Sequence, residues 1–163
     1  MFGKAQTVGT VGAIARDEGD EGSALELVRE SAELARKAGV PWWESGALAE
    51  LACLSLNAGL LDEGEAHARE SLALADRLRD RPGRIFGVGL LARVAAERGL
   101  RERAGLMWGA IEGEDAIAPL GGWRRHRQTC EARILKLVGG EFDRNRAEGR
   151  ALTLDDAVAI ALE

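Results

Sequence analysis

The chain has 163 residues, of which 46% are hydrophobic and 30% charged, and its formal net charge is −5. This length gives one domain with a sizeable buried core, and the acidic balance argues against a chain whose main task is to bind nucleic acid by bulk electrostatics. No stretch approaches the about eighteen apolar residues of a membrane span, and the N-terminus lacks the order of a signal peptide. We therefore expect a cytoplasmic protein with no membrane partner.

Apolar and small residues recur at helical spacings along the first two thirds of the chain, and no run alternates with period two. These spacings predict amphipathic helices and no sheet. The predicted helices cover residues 4–17, 22–38, 42–58, 62–80, 83–98 and 102–115.

Glycine and proline mark the ends of these helices. Gly19, Gly39, Gly59 and Gly99 stand where a chain leaving a helix adopts a left-handed conformation, which costs glycine least.

Helix starts have signals of their own. Pro41 and Pro82 lie where a first helical turn tolerates a missing N–H, so they are predicted to open the third and fifth helices. Asp62, with Glu65 three residues later, is predicted to cap the fourth helix with a capping box.

A repeat is visible in the same segment, because Gly19, Gly59, Gly99 and Gly139 are spaced by 40 residues. Similar residue types surround the first three glycines, and the run 29–31 (Arg-Glu-Ser) returns as 69–71. Each unit is interpreted as two helices joined by a tight turn.

The pattern breaks at residues 116–122, which contain Pro119 and the pair Gly121-Gly122. Beyond the break we predict a helix over 123–138, a short helix carrying Phe142, and a last helix capped by Thr153. Terminal units of repeat proteins are often atypical because they seal the stack, so residues 121–163 are interpreted as capping helices.

The small and apolar pattern of each unit resembles the tetratricopeptide repeat, although the period is 40 residues and the usual closing proline is missing. The resemblance implies an all-α fold, a right-handed superhelix of about three helix-turn-helix units with a degenerate C-terminal capping unit. We expect a single domain over 1–163, with units at about 4–40, 41–81 and 82–118.

The last third of the chain resembles the C-terminal boundary of the tetratricopeptide-like region in large bacterial regulators of LuxR and AfsR type with a signalling ATPase core. The matching residues are Ala104, Trp108, Gly109, Ala110, Pro119, Leu120, Gly139, Phe142, Glu148, Gly149, Leu152, Leu154, Ala157, Val158 and Ala161. The resemblance implies a fragment or stand-alone relative that keeps the scaffold part, since neither a phosphate loop nor a DNA-reading helix-turn-helix is present. DNA would then be reached only through a domain absent from this chain.

In tetratricopeptide arrays the first helix of each pair lines an inner groove. Carried over to this chain, that arrangement gives a partly apolar trough with a basic end, and it implies a protein or peptide partner. The candidate partner-binding residues are Arg16, Ala49, Cys53, Leu56, Phe86, Arg93, Glu97, His126, Thr129 and Arg133, with Gln6 and Ala13 beside them.

Two local features have alternative interpretations. The cluster Arg124–Arg127, continued by Arg133 and Lys136, is a solvated helix start or a site for an acidic peptide, a nucleotide, a phosphate group or a nucleic-acid backbone. Trp42 and Trp43 cannot both point into the core of one helix, so one of them is predicted to cover a helix junction or an exposed contact patch.

Signals for catalysis are weak. His67, predicted on an exposed face, and His126 have no serine or cysteine at a nucleophile spacing, and Cys53 and Cys130 are interpreted as buried thiols. The match to a dinucleotide fingerprint at 87–92 lies inside a predicted helix, which favours close helix packing. We expect no enzyme activity, no cofactor and no metal.

The sequence therefore favours a protein-protein interaction scaffold, the partner-binding or sensor region of a bacterial transcriptional regulator. The alternative is a small-molecule-sensing helical repeat that uses the trough between Leu56, Phe86 and the basic end. An enzyme would require a deep pocket with converging acids or histidines. The sequence also allows a homo-oligomer.

Overall fold

The computed structural model describes residues 1–120, 123–137 and 139–163, with all their side chains except those of Trp123 and Arg125. Over these ranges the regular secondary structure consists of nine α-helices without a strand. Their bounds are α1 (Phe2–Asp17), α2 (Glu21–Lys37), α3 (Pro41–Asn57), α4 (Leu61–Arg77), α5 (Arg81–Glu97), α6 (Arg101–Ile117), α7 (Trp123–Leu135), α8 (Gly140–Gly149) and α9 (Leu154–Leu162).

The helices from α2 to α6 follow one another at a fixed interval. Each has 17 residues, and a link of three residues separates each helix from the next between α1 and α6. The links contain a left-handed residue, with φ between 67° and 85° at Gly19, Gly39, Gly59 and Gly99. The predicted role of these four glycines is confirmed, and the forty-residue period is two helices with their links.

Arg79 occupies the corresponding position after α4, with a φ of 53°. The predicted helix extends to residue 80, since no glycine marks the turn. That boundary is wrong, since the helix ends at Arg77 and the left-handed residue follows its C-cap, Leu78.

Helix starts agree with the sequence in two cases out of three. Pro41 is the first residue of α3 and Pro82 the second residue of α5, as predicted. The prediction for Asp62 is wrong, because the N-cap of α4 is Leu60 and makes no side-chain capping bond, which places Asp62 inside the first turn. An unpredicted cap belongs to α2, where the Asp20 carboxylate accepts a 3.1 Å hydrogen bond from the Ser23 N–H.

The chain divides into two compact units, Met1–Gly83 and Arg84–Glu163. In the first unit successive helices pack in chain order, α1 against α2, α2 against α3 and α3 against α4. A core cluster of small and aliphatic side chains has members on all four helices, and it comprises Ala15, Ala24, Val28, Ala32, Leu48, Leu51, Leu54 and Leu74.

The repeated Arg-Glu-Ser run has a structural role in the first unit. Ser31 Oγ on α2 donates a 2.8 Å hydrogen bond to the Ala5 carbonyl on α1, and Ser71 Oγ on α4 donates one of 2.8 Å to the Ser45 carbonyl on α3. Donor and acceptor are 26 residues apart in both pairs. The same bond therefore joins the two helices of each hairpin.

In the second unit α6 packs against α8 and α9. A methyl group on Gly105 would lie 2.7 Å from the Phe142 carbonyl oxygen, and one on Gly109 would overlap the Arg146 carbonyl oxygen. Glycine at these positions lets the backbones of α6 and α8 approach closely.

The end of the chain departs from the regular repeat. Gly139 is an extended N-cap of α8, with φ −138° and ψ −161°, so it does not repeat the left-handed turn of the earlier glycines. The predicted cap of the last helix is confirmed, because Thr153 and Asp156 form a reciprocal capping box. The predicted glycine pair Gly121-Gly122, and the predicted helix end at Val138, lie outside the described residues.

Successive packing of helix pairs is the arrangement of a helical repeat, so the predicted all-α repeat class is confirmed. The grouping of residues 1–163 into one domain, with the unit boundaries given above, stays a prediction.

Candidate functional site

A cleft of about 390 Å³ opens in the first unit between α1 and α3, with α2 behind it. Most of its wall is apolar. The residues that line it are Gly9, Thr10, Ala13 and Arg16 of α1, Val28 and Ser31 of α2, and Trp42, Trp43, Gly46, Ala47 and Glu50 of α3.

Small residues leave this space open. Gly9 and Ala13 lie one helical turn apart on α1, and Gly46 and Ala47 are on the facing side of α3. A methyl group on Gly46 would meet no atom within 4 Å. A larger side chain at Gly46 would therefore enter free space, whereas Gly9 is packed against Ser31 and Trp43.

Three aromatic rings stand at one end of the cleft. Phe2, Trp42 and Trp43 form mutual edge-to-face contacts, with ring centroids 5.5–6.1 Å apart. The Trp43 indole N–H donates a 3.0 Å hydrogen bond to Ser31 Oγ, which fixes that ring, whereas Trp42 is 55% exposed. The prediction that the two tryptophans do not both point into the core is confirmed, and a contact role for Trp42 stays a prediction.

A charged pair closes the other end. The Arg16 guanidinium donates to the Glu50 carboxylate and also contacts Asp17 at 2.9 Å. Burial lowers the pKa of Arg16, but the hydrogen bond and charge of Glu50 raise it by more, so the net pKa is raised. Arg16 stays charged and is balanced by its neighbours, which leaves the cleft close to neutral.

The predicted groove residues of the first unit are only partly accessible. Arg16 lines the cleft together with Ala13. Ala49, Cys53 and Leu56 are buried, so they offer little surface to a partner. Leu56 lies under α4, where its side chain occupies the space that a methyl group on Gly64 would need.

The structure brings together several predicted residues of the second unit. The Phe86 and His126 rings meet edge to face with centroids 4.5 Å apart. Arg93, which is only 2% exposed, donates a 3.0 Å hydrogen bond to Glu97, and Arg133 approaches the same carboxylate at 3.5 Å.

Thr129 is exposed on α7. The predicted trough from Leu56 to Phe86 joins residues of both units and stays a prediction.

The predicted basic cluster is partly neutralised. Arg124 is exposed, whereas Arg127 contacts Asp115 and lies 3.6 Å from Glu112. The side chain of Arg125 lies outside the described residues. Since Arg127 already has carboxylate partners, it provides little unbalanced charge for a phosphate group, and the role of the cluster stays a prediction.

Glu112 is the centre of a larger ion-pair network. Its buried carboxylate receives hydrogen bonds from Arg146 and Arg150, and Arg146 also contacts Glu131 at 2.9 Å. Burial raises the pKa of Glu112, and the bonds and charges of Arg146 and Arg150 lower it by more, so the net pKa is lowered. The network links α6, α7 and α8, and its geometry indicates a structural role.

The remaining candidate features of the sequence are a dinucleotide-like run, a histidine and possible metal ligands. The dinucleotide-like run 87–92 lies within α5 and is buried. His67, which was predicted on an exposed face, is half-buried, and this burial lowers its pKa. Among the described residues no group of three or more His, Cys, Asp and Glu side chains could hold a metal ion.

No helix in the described part of the chain has the length and apolar character needed to cross a bilayer.

Comparisons with models of protein families, with curated proteins and with solved structures gave no match to this chain.

The cleft between α1 and α3 is the arrangement of described residues best suited to hold another molecule. Sequence reasoning identified its components in part, through Ala13, Arg16 and the tryptophan pair, but did not place them in one site.

Proposed function

We propose that the chain is a protein-protein interaction scaffold whose cleft between α1 and α3 receives a short segment of a partner protein. The observation that carries the proposal is the half-exposed Trp42 at the mouth of a near-neutral apolar cleft. Tryptophan is enriched among the residues that contribute most to protein interfaces. A partner segment is expected to insert an apolar side chain beside Trp42.

The rigidity of the cleft supports this function. Trp43 is held by Ser31, which is itself bonded to the Ala5 carbonyl, so the wall is tied to both helices of the first hairpin. A preformed wall reduces the entropy that binding must overcome.

The test uses a variant that fills the cleft. Gly46→Leu places a side chain in open space, and replacing a helical glycine is expected to stabilise the helix by up to about 1 kcal/mol, so the variant should fold. Gly22→Leu is the matched control, because a methyl group at Gly22 meets only Asp20 at 3.8 Å and this position is outside the cleft.

Peptides selected from a random display library against the wild-type protein provide the readout. We expect their affinity to fall at least about tenfold in Gly46→Leu and to be unchanged in Gly22→Leu. Failure to select any binding peptide, or binding that Gly46→Leu leaves intact, contradicts the proposal.

A second function is favoured by the size of the cleft. Its volume of about 390 Å³ is within the range of small-molecule sites, roughly 300–1,000 Å³. A small-molecule sensor would bind a neutral ring compound there. Thermal shift with a fragment library tests this function, and ring fragments that raise Tm in wild type and in Gly22→Leu, but not in Gly46→Leu, support it.

The biological context that we propose is the partner-binding or sensor region of a bacterial transcriptional regulator. Its support is the resemblance of the segment from Arg101 to Glu163 to the boundary region of such regulators. The coding sequence on either side tests it, since a phosphate loop or a DNA-reading helix-turn-helix is expected there. Flanking sequence that encodes an unrelated class of protein contradicts this context.

A further inference from the structure

The outer face of α1, opposite the cleft, is an exposed surface of unusual composition. Residues 5–15 contain no charged side chain, yet Val11 is 46% and Ile14 52% exposed. A solvent-facing helix normally carries charged or polar residues on its outer side. The composition of this face is that of a helix covered by another element.

Thr7 on this face, and Thr10 at its border with the cleft, do not oppose burial. Thr7 Oγ1 donates a 3.0 Å hydrogen bond to the Gly3 carbonyl, and Thr10 Oγ1 donates one of 2.9 Å to the Gln6 carbonyl. Because both hydroxyl donors are satisfied within the helix, a partner can cover them without leaving an unpaired donor.

The repeat shows which secondary-structure element covers the equivalent face of the next hairpin. Leu51 and Leu54 of α3 stand 40 residues after Val11 and Ile14, and they are only 1% and 3% exposed. They belong to the core cluster that contains Ala24 and other residues of α2. The equivalent face of the next hairpin is therefore covered by a helix.

The charges at the two ends of the face identify the helix that would cover it. Lys4, Val11 and Glu18 are spaced by seven residues, which places them on one stripe with the cation at the start and the anion at the end. Lys4 is exposed, and its 2.9 Å ion pair with the exposed Glu30 contributes little to stability. A stripe with this order is complementary to its own antiparallel copy.

We propose that the outer face of α1 pairs with α1 of a second copy of this chain, antiparallel about Val11, with Lys4 of each copy against Glu18 of the other. Such a two-fold contact uses the same patch on both subunits. The contact is one helix wide and smaller than a standard interface, so the dimer is weak. The interface lies on the side of α1 away from Gly9 and Ala13, which leaves the cleft open.

Sedimentation velocity from about 10 µM to about 1 mM protein at low salt tests the proposal, since weak interfaces require this concentration range. The expected result is a reversible monomer-dimer equilibrium. Val11→Glu is expected to raise the dissociation constant about tenfold or more. The matched control is Leu60→Glu, an equally exposed position at the N-cap of α4, which should leave the dissociation constant unchanged.

Charge-reversal variants test the antiparallel pairing more specifically than Val11→Glu does. Lys4→Glu and Glu18→Lys should each be monomeric alone, because each variant places like charges against each other in the antiparallel pair. An equimolar mixture of the two variants should form a heterodimer, since every contact between them is again between opposite charges. Both changes complement the helix dipole of α1, so both variants are expected to fold.

A wild-type chain that stays monomeric at the highest concentration overturns the proposal. A dimer that survives Val11→Glu, or a variant mixture that stays monomeric, overturns it as well. None of these outcomes bears on the cleft, which is tested by Gly46→Leu.

Discussion

Ser71 Oγ donates a 2.8 Å hydrogen bond to the Ser45 carbonyl, and Ser45 Oγ donates one of 3.0 Å to the Ser71 carbonyl. The two serines thus bridge α3 and α4 reciprocally within a buried part of the first unit. In the preceding hairpin Ser31 and Ala5 retain half of this arrangement. The helix pairs of the repeat are therefore joined by specific polar bonds as well as by apolar packing.

The serine bridge makes a direct prediction about stability. Ser71→Ala is expected to lower the free energy of unfolding by about 1–2 kcal/mol, because it removes a buried hydrogen bond and leaves the Ser45 hydroxyl with one partner fewer. Urea denaturation followed by circular dichroism measures the change.

Ser55→Ala is the matched control for that experiment. Among the described residues Ser55 Oγ is buried without a hydrogen-bond partner, so its removal should be neutral or stabilising. Equal losses of stability in Ser71→Ala and Ser55→Ala would show that the bridge contributes nothing specific.

The close approach of α6 and α8 predicts that Gly109→Ala destabilises the second unit. The added methyl group would overlap the Arg146 carbonyl oxygen, and such overpacking costs about 1–3 kcal/mol. Gly46→Ala provides the comparison, because its methyl group enters open space and should stabilise α3 by up to about 1 kcal/mol. Thermal denaturation distinguishes the two, and a stabilising Gly109→Ala contradicts the described packing.

The strained turn after α4 predicts a stabilising substitution. Arg79 has a left-handed backbone, which costs a non-glycine residue about 1–2 kcal/mol, and its exposed guanidinium lies 3.8 Å from the Asp76 carboxylate, which is a weak ion pair. Arg79→Gly is expected to raise the free energy of unfolding by about 0.5–1 kcal/mol. This gain is smaller than the cost of the left-handed backbone, because glycine also gives the unfolded chain more conformational freedom.

The reverse substitution, Gly39→Arg, is expected to destabilise by a similar amount, since Gly39 has a φ of 67° and free space around it. If Arg79→Gly weakened the protein and Gly39→Arg did not, the turn geometry described here would be wrong.

The ion-pair network of the second unit predicts acid sensitivity. Because the pKa of Glu112 is lowered in the folded chain, the folded state binds its proton less readily than the unfolded state. Its contribution to stability is therefore complete above the ordinary glutamate pKa of 4.5 and is lost as the pH falls through the lowered value. Stability should decrease steeply in this acid range.

Glu112→Gln tests the assignment. It should cost about 1–2 kcal/mol at neutral pH, since Arg146 and Arg150 lose a charged acceptor but remain partly exposed, and it should flatten the decline of stability below pH 4.5. Denaturation at a series of pH values compares the two proteins. A variant that keeps the full wild-type slope shows that other carboxylates dominate.

Much of the fold could be predicted from the sequence because glycine marks most of the turns. Gly19, Gly39, Gly59 and Gly99 fixed the helix ends to within a few residues, and Pro41 fixed a start. Arg79 was missed because side-chain identity does not reveal a left-handed backbone that tertiary packing imposes. Asp62 was misassigned because an acidic residue inside the first turn of a helix resembles one at the N-cap.

The cleft could be predicted only in part. The adjacent tryptophans indicated one exposed ring, which Trp42 provides. The carried-over groove positions Ala49 and Leu56 are buried, because a small rotation of a helix about its axis decides which of its residues face a groove and which face a neighbouring helix. Sequence spacing defines the face of a helix but not its orientation in the packed structure.

The most direct test of the proposed binding cleft is fluorine NMR of protein labelled with 5-fluorotryptophan, titrated with the tightest peptide from the display selection. Single Trp→Phe variants assign the resonances. Binding in the cleft predicts that the signals of Trp42 and Trp43 shift on titration, while that of Trp108, which is buried in the second unit, stays in place. A shift of the Trp108 resonance with no change at Trp42 and Trp43 would contradict the assignment of the cleft as the binding site.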